Sequence, residues 1–446
     1  SLQGNNYDLM NSQEQLNIEN EVERGRGAGL SDSEIGSASF TDWANFFFDT
    51  ALTQNHTLSM TSGSENFSQF TSLGYFDQEG ILKGSGLKRF NIRSNFDGKS
   101  ENEKFNYSIN LGVNYSESDV PNNIGGSGIN RNYVLGAYQS LPYISPDDYT
   151  DGAALLSPLS FANTPLFLLD RLRTFTRTED ELQLLGSFNA SYKITPSLSA
   201  NVSLSSELRD MIFTSAEGPE SFNALLFAQG KDPSGSAFQQ SDRQFSYNQV
   251  TSLNWNKTFG KHTLDAGAYM EYFKAHYATF GFSQEGLDPK TFAPGDGSAF
   301  IGDNPDNDFY VDTPNANKLE SGLFSYFGSV DYDYDTTFGL AGTLRRDASY
   351  RFSGSNRWGT FWSLAGRWNI NNMSFMENSI FDILKLRASY GVAGNQNIVN
   401  DASVDGIYFD GPDLTRDLFA TGSGYGSANS LFLSQIGNST LQWESI

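Results

Sequence analysis

Hydrophobic and polar residues alternate one by one over residues 105–116, which read FNYSINLGVNYS. Every odd position of this segment is aliphatic or aromatic, and every even position is Asn, Ser or Gly. Because successive side chains of a β-strand point to opposite faces, the segment would have one apolar face and one neutral polar face. In a helix the same residues would be scattered around the circumference. The alternation therefore predicts a β-strand.

The same two-residue period recurs along most of the chain. An alternating segment leads into the turn Thr195-Pro196-Ser197, and another follows directly after it. A second pair flanks a turn at Asp333–Thr336. The period predicts about twelve strands, most of them 9–15 residues long, near 55–63, 67–77, 87–97, 104–117, 180–194, 197–209, 245–258, 261–274, 320–334, 336–348, 358–370 and 383–392.

Short and long connections alternate between the predicted strands. The short ones are turns such as Gly63–Asn66 and Phe259–His262. The long ones are rich in Gly, Pro, Asn, Asp and Ser, and they run through 118–179, 210–244, 275–319 and from 393 toward 440. Short turns at one end and long extracellular loops at the other are typical of outer-membrane β-barrels. Strands of the predicted length can cross a bilayer when they are tilted.

Aromatic residues near the strand ends bear on the choice between a membrane barrel and a soluble β-protein. In a soluble β-sandwich, Val, Ile and Leu would dominate the buried face. Here Phe, Tyr and Trp recur where a strand would meet the two membrane interfaces, which favours the barrel. The soluble architecture remains the alternative. The aromatic residues in question are Tyr75, Phe90, Tyr115, Tyr192, Trp255, Tyr272, Trp358 and Trp368.

Composition narrows the functional classes. The 446 residues include 29 basic and 52 acidic side chains, a formal charge of −23, and no basic run is present to bind nucleic acid. The longest uninterrupted apolar stretch has five residues, Ala224–Ala228, far short of the roughly 20 needed for a membrane-spanning helix. The absence of cysteine excludes disulfides and thiolate metal sites.

Two sequence blocks carry a family resemblance. The first follows Thr41-Asp42-Trp43 and covers residues 53–97, with QNH entering a strand and SLGYFDQEG in a hairpin. The second covers residues 344–370, with LRRD and NRWG, and is followed by residues 384–398, with LRASYG and GNQNI. Both blocks resemble the barrel of TonB-dependent outer-membrane transporters of the SusC/RagA type, found in Bacteroidetes. The resemblance implies an all-β fold, a transmembrane antiparallel β-barrel with long extracellular loops and short periplasmic turns.

The resemblance also sets an expectation for domain organisation. Members carry an N-terminal extension, a TonB box and a plug domain ahead of the barrel, and none of these is recognisable in the sequence. Their barrels close with about 22 strands, roughly twice the predicted number. We therefore expect residues 1–39 to be the segment between plug and barrel. We expect residues 40–446 to be a partial outer-membrane β-barrel, with the plug and the C-terminal strands absent.

The family further implies function, location and partners. The protein would import oligosaccharides or oligopeptides across the bacterial outer membrane, and it would not be an enzyme. Its partners would be a SusD-like surface lipoprotein acting as a lid, TonB acting through the plug, and outer-membrane lipid, with transporter–lid pairs able to dimerise. A nucleic-acid partner is not expected. The alternative is a barrel that serves as a structural platform in a surface complex and imports nothing.

Candidate site residues lie mainly in the predicted loops. Aromatic rings there could stack on sugars or pack against peptides, but they could equally pack loops against each other or against a lid: Tyr143, Tyr149, Phe309, Tyr310 and Tyr408. Arg345 is expected to face the lumen, where it would contact substrate or join an ion-pair network, whereas Arg346 would lie at the outer boundary.

One acidic loop has the oxygen ligands that Ca²⁺ prefers. Asp303, Asp306 and Asp308 are spaced as calcium ligands can be. The loop lacks the glycine and the closing glutamate of an EF-hand. A calcium site and a solvated acidic loop therefore both remain open.

Overall fold

Twelve antiparallel strands form one sheet in the computed structural model. Each strand pairs with its neighbours in sequence, so the sheet is an up-and-down meander from β1 to β12. The structure describes residues 9–120, 128, 131–228, 234–301, 313–377, 379–396, 402–404, 407–409, 414–415, 417–424 and 429–446. The strands are β1 (Thr53–Ser64), β2 (Phe67–Glu79), β3 (Gly86–Lys99), β4 (Phe105–Asp119), β5 (Phe175–Thr195), β6 (Leu198–Glu217), β7 (Ser236–Phe259), β8 (His262–Glu285), β9 (Thr313–Tyr334), β10 (Phe338–Ser349), β11 (Trp358–Asn369) and β12 (Lys385–Val392).

The predicted number of strands is confirmed, but the predicted lengths of β5–β9 were wrong. These five strands have 20–24 residues each. Their extra length replaces much of the predicted loops 210–244 and 275–319, because β6 continues to Glu217 and β8 to Glu285. In the added portions polar side chains lie on both faces, as in Ser241-Asp242-Arg243-Gln244. The two-residue period that identifies a strand is therefore lost although the strand continues.

The tight turns lie at one edge of the sheet, as predicted. Only two residues separate β1 from β2 and β7 from β8. Gly260, in the second of these turns, has a φ of +63°, a conformation that glycine adopts without a steric penalty. At the opposite edge longer connections follow β4, β6 and β8, over 120–174, 218–235 and 286–312.

The apolar face of the sheet is its more exposed face. On β4, Leu111 and Val113 are 49% and 37% exposed, whereas Asn110 and Asn114 on the other face are half-buried. Antiparallel sheets of soluble proteins do the reverse and bury the apolar face. An apolar exterior with a polar interior is the arrangement of a membrane barrel. The structure therefore favours the barrel over the soluble alternative.

Two belts of aromatic side chains border the apolar face. Trp358 and Trp368 on β11 both lie on this face, because their register partners continue its rows. They are ten residues apart, which corresponds to about 34 Å along a strand and about 24 Å across a bilayer for a tilt of about 45°. Such a spacing matches the apolar band of about 25 Å in outer-membrane barrels.

The main buried core lies outside the sheet, at the long-loop edge. There α1 (Ser12–Glu21), α2 (Asp32–Gly36) and α3 (Trp43–Phe47) pack against α4 (Tyr133–Gln139) and α5 (Thr164–Thr174), with α6 (Phe222–Leu226) beside them. We call residues 9–48, 131–174 and 218–228 the helical layer. Its buried apolar residues include Leu16, Ile35, Trp43, Phe47, Tyr133, Leu166, Phe167, Leu168 and Phe222. Leu82 of the β2–β3 connection packs into the same core.

Local sequence signals explain the helical layer. Asn11 and Glu14 form a capping box at the start of α1, and Ser31 and Glu34 form another at the start of α2. The Thr41-Asp42-Trp43 motif has a comparable role. The Asp42 carboxylate accepts a hydrogen bond from the Asn45 backbone N–H and caps α3, while the Trp43 ring is buried in the core.

After β12 the described residues form short paired strands. These are β13 (Gly394–Asn395) with β18 (Glu444–Ser445), β14 (Ala402–Val404) with β15 (Ile407–Phe409), and β16 (Leu418–Ser423) with β17 (Asn429–Gln435). In the part of the chain that the structure describes, no helix has the length and apolarity needed to cross a membrane.

Candidate functional site

The polar face of β2–β8 is a candidate binding surface, because it is continuous across seven neighbouring strands. Two grooves of about 630 Å³ and 620 Å³ run along it. Small neutral side chains, mainly serine and asparagine, dominate their lining. Hydroxyl and amide groups both donate and accept hydrogen bonds. This lining can therefore bind water, sugar hydroxyls or peptide groups without a strong charge preference.

Hydrogen bonds between neighbouring strands organise the polar face. Asn110 Nδ2 donates to Ser187 Oγ over 3.0 Å, joining β4 to β5. Four residues further along β4, Asn114 Nδ2 donates to Gln183 Oε1 over 3.0 Å. Gln183 Nε2 in turn donates to Glu207 Oε1 over 2.6 Å and extends the chain to β6. These bonds hold the amide groups in fixed orientations along the groove.

One ion-pair cluster on the polar face is centred on Arg345 of β10. Its Nη2 lies 2.7 Å from Glu271 Oε2 and 2.8 Å from Ser325 Oγ, and its Nε lies 2.6 Å from Asp347 Oδ1. The guanidinium also lies 4.7 Å from the centroid of the Phe327 ring. The arginine thus joins three strands in one ion-pair cluster.

Arg345 and Arg346 lie on opposite faces of β10. The expected lumen for Arg345 and outer boundary for Arg346 stay predictions. Arg345 shares the polar face with Asp347, while Arg346 points to the apolar face, 5.1 Å from the centroid of Trp358. Arg345 remains partly accessible, with about a third of its side chain exposed. Its role in substrate contact stays a prediction, and the observed contacts agree with the ion-pair alternative.

Tyr143 lies inside the helical layer and not on a loop surface. Its side chain is 5% exposed, and its hydroxyl donates to Glu19 Oε1 over 3.0 Å. Burial, followed by this hydrogen bond to a carboxylate, raises the pKa of Tyr143 above its ordinary value. In this arrangement the ring packs loop segments together and presents no face to a ligand.

Tyr149 also connects segments of the helical layer. Its hydroxyl donates to Asp170 Oδ1 over 2.8 Å, and its ring lies 4.8 Å from the Arg173 guanidinium. Asp170 Oδ2 accepts the backbone N–H of Phe222 over 2.9 Å. Burial raises the pKa of Asp170, and burial followed by the bond to Asp170 raises the pKa of Tyr149. The contacts join α5 to α6, on two different long connections.

The side chains of the remaining predicted site residues are not among those that the structure describes. Phe309, Tyr310 and the three aspartates Asp303, Asp306 and Asp308 lie outside the described residues. Tyr408 is part of β15, but its side chain is also outside the description. Within the described residues, no group of three or more His, Cys, Asp or Glu side chains could hold a metal ion. The calcium site stays a prediction.

Sequence reasoning missed the aromatic pair beside Arg345. Tyr269 and Phe327 stack with their centroids 4.6 Å apart on the polar face. Alternation within β8 could have identified this position, because Tyr269 and Glu271 occupy the face opposite Met270. The choice of partners across the sheet required the register.

Sequence comparison finds similarity to TonB-dependent receptors. The chain is 28% identical over 409 residues to the TonB-dependent receptor P26 of Formosa agariphila, covering 87% of this chain and 38% of that protein. It is 28% identical over 408 residues to the TonB-dependent receptor SusC of Bacteroides thetaiotaomicron, covering 84% of this chain and 37% of SusC. No protein-family profile matches the chain. The chain thus spans less than two fifths of the length of these relatives.

Solved structures show the same fold. The RagAB peptide importer in its open-open state superposes with a TM-score of 0.69 and 22% identity, covering 100% of this chain and 47% of the matched chain. Its closed-closed state gives a TM-score of 0.67 with 20% identity, covering 98% and 49%. The resemblance to SusC/RagA-type TonB-dependent transporters is thereby confirmed.

Proposed function

We propose that this chain forms part of the β-barrel of a TonB-dependent outer-membrane importer for oligosaccharides or oligopeptides. The observation that carries the proposal is the reversed polarity of the sheet, with leucines exposed on one face and half-buried, hydrogen-bonded amides on the other. Lipid is the solvent that favours such an exterior. A neutral hydrophilic interior suits a cargo rich in hydroxyl or amide groups. The similarity to SusC and to the RagAB peptide importer supports both cargo classes.

The proposal extends to energy coupling and to a lid. The matched relatives are more than twice as long as this chain, which leaves room in such proteins for a plug that contacts TonB and for further barrel strands. A SusD-like lipoprotein would rest on the long-loop edge, where the helical layer offers a structured platform. The loops would then face the cell exterior. Dimers of transporter–lid pairs, and a connection between plug and barrel through residues 1–39, belong to the same proposal.

Growth of the host on defined nutrients tests import. We expect a strain lacking the gene to lose growth on one class of oligomer, either glycan or peptide, and to keep growth on the corresponding monomers. Loss of TonB should give the same phenotype. If the deletion strain takes up every oligomer normally while a surface complex disappears, the platform alternative is correct and the import proposal fails.

Matched variants connect the phenotype to the polar face. Asn110→Leu combined with Asn114→Leu places apolar groups in the groove and should lower uptake at least severalfold. Leu111→Ile, on the opposite face of the same strand, is the control and should import normally. Equal uptake by both variants would mean that the polar face of β4 does not line the cargo path.

A further inference from the structure

Two arginines, Arg89 and Arg93, lie on the polar face of β3. Their register partners on β4 are Ser116 and Gly112, respectively. Both partners belong to the polar row of β4, whose apolar residues occupy the alternate positions. Both arginines are exposed, and the step of four residues between them corresponds to about 14 Å along the strand. The polar face of β3 therefore presents two guanidinium groups in one line.

Neither arginine has an acidic partner. Among the described residues no carboxylate lies within ion-pair distance of either guanidinium, and Arg93 Nε donates to the neutral Asn95 Oδ1 over 3.3 Å. On β2–β11, the strands that have a neighbour on each side, every other polar-face arginine is ion-paired. The pairs are Arg177–Glu179, Arg209–Glu181, Arg345–Glu271 and Arg367–Asp333. The two arginines of β3 are thus available to bind an anion.

The polar-face acids closest in register are distant from the two arginines. In the row of Arg89 the first carboxylate is Glu181, two strands away on β5 and already ion-paired. In the row of Arg93 it is Glu207, three strands away on β6, which accepts a side-chain amide bond of its own. Along β3 itself, Asp97 follows Arg93 by four residues. With strands about 4.8 Å apart, each of these acids is about 10 Å or more away along the backbone.

Neutral residues adjoin the two arginines. Asn91 lies between them on the same face. Their register partners on β2 are Phe76 and Ser72, respectively. Arg93 also lines the groove of about 620 Å³. The amides and hydroxyls of this groove can bind the uncharged groups of a ligand whose anionic groups contact the arginines.

The two arginines follow each other from the long-loop edge toward the tight turns. The tight turn between β1 and β2 lies at one edge of the sheet, so β2 ends and β3 begins at the long-loop edge. Arg89 is close to the start of β3, and Arg93 lies in the middle of the strand. A cargo that entered from the long loops would therefore meet Arg89 first and Arg93 next.

We propose that Arg89 and Arg93 bind carboxylate groups of the imported oligomer and give the importer a preference for anionic cargo. A guanidinium binds a carboxylate through two parallel hydrogen bonds. A protein with a formal charge of −23 repels anions in general, so local cations are needed where an anionic cargo is bound. Uronic acid residues of a glycan and acidic residues of a peptide both supply carboxylates. The inference rests on the proposed import function and names the charge of the cargo.

Binding of matched anionic and neutral oligomers tests the inference. The full-length protein, purified in mild detergent, is titrated by calorimetry with hexamers of galacturonic acid and of galactose, and with hexaglutamate and hexaglutamine. We compare the wild type with Arg89→Gln/Arg93→Gln. The matched control is Lys88→Gln/Lys104→Gln, which removes the same charge. Lys88 is next to Arg89 in sequence but lies on the opposite face, where its register partner is Asp77.

We expect the wild type to bind the anionic member of one pair at least about tenfold more tightly than the neutral member. The arginine variant should lose this preference, and the lysine control should keep it. Preference within the sugar pair identifies a uronic acid cargo, and preference within the peptide pair identifies an acidic peptide. No preference in either pair, a preference that survives in the arginine variant, or an equal loss in the control overturns the inference.

The outcome is separable from that of the import proposal, because binding is measured without TonB and without uptake. A preference for an anionic hexamer in a protein that imports nothing would keep the binding site and refute import. Normal oligomer uptake by a protein without any such preference would keep import and refute the binding site.

Discussion

Asp170 shows how single residues stabilise the helical layer. It is 1% exposed, and its two carboxylate oxygens accept bonds from the Tyr149 hydroxyl and the Phe222 backbone N–H. Neither partner carries a full positive charge, so burial raises the pKa of Asp170 despite these bonds. The residue therefore makes the layer sensitive to pH.

The stability of the helical layer should fall as pH rises above the ordinary Asp pKa of 3.8. In the folded layer Asp170 keeps its proton to a higher pH than in the unfolded chain. Its contribution to the stability of the layer is therefore complete below pH 3.8 and is lost as the pH rises to the raised pKa. Asp170→Asn should flatten this dependence. The pH dependence is measured by hydrogen-exchange protection of α5, corrected for intrinsic exchange rates. Asp147→Asn in the same layer is the control. An unchanged pH profile in Asp170→Asn contradicts the assignment.

Arg345→Met should destabilise the protein because it leaves Glu271 and the 6% exposed Asp347 without their cation. We expect a loss of about 1–3 kcal/mol in the free energy of unfolding, measured from the urea midpoint in vesicles. Adding Glu271→Gln and Asp347→Asn should recover much of it by removing the uncompensated charge. Arg93→Met, which loses a bond to neutral Asn95, is the control. Absence of recovery would show that the cluster does not act through charge.

The surroundings of these residues explain which sites the sequence could predict. Alternation was sufficient to assign Arg345 and Arg346 to opposite faces. It could not show that Tyr143 reaches Glu19, because those residues are 124 positions apart. Loop composition alone does not distinguish an aromatic ring that is exposed to bind a ligand from one that is buried to pack loops together.

At the scale of elements, the long connections pack against each other and do not extend separately. The Phe167 and Phe222 rings stack 4.1 Å apart, joining the β4–β5 and β6–β7 connections. Trp43 Nε1 donates to the Leu141 carbonyl over 3.3 Å and joins the N-terminal segment to the same layer. This shared core joins the N-terminal segment to two of the long connections.

Gly152→Ala should weaken the contact between the two connections. A Cβ at position 152 would lie 2.2 Å from the Phe222 nitrogen and 2.5 Å from the Glu220 carbonyl oxygen, so the backbone has to move. We expect a cost of about 1–3 kcal/mol and faster hydrogen exchange in α5 and α6. Gly36→Ala, where a Cβ meets nothing within 4 Å, is the control. Equal protection in both variants would contradict the packing described.

The strands could be predicted where the two sides of the sheet meet different solvents. Within the apolar band each strand shows alternating apolar and polar residues. The predicted bounds of β4 therefore agree with the observed ones to within two residues. Beyond the band water lies on both sides, which removes the period from β7 before Gln244. The helices of the loop layer carry capping signals, but their packing depends on contacts between distant segments.

For the whole molecule, the exterior must tolerate lipid and reject charge. Leu364 lies on the apolar face in the middle of β11 and is 52% exposed. Leu364→Arg should cost about 2–4 kcal/mol of unfolding free energy in vesicles. Ser363→Arg, on the polar face, should cost about 1 kcal/mol or less, since it loses one hydrogen bond with Thr343. Equal costs would argue against a bilayer around the sheet.

The most direct test of the account is the solvent that each face of β4 meets. The chain contains no cysteine, so a single cysteine introduced at Asn110, Leu111, Val113 or Asn114 gives a unique spin-label site. In reconstituted bilayers we predict that labels at 111 and 113 collide with oxygen, which concentrates in lipid. Labels at 110 and 114 should collide with a water-soluble nickel reagent. Labels at 111 and 113 that are shielded from both reagents, or that meet the nickel reagent, would contradict the account.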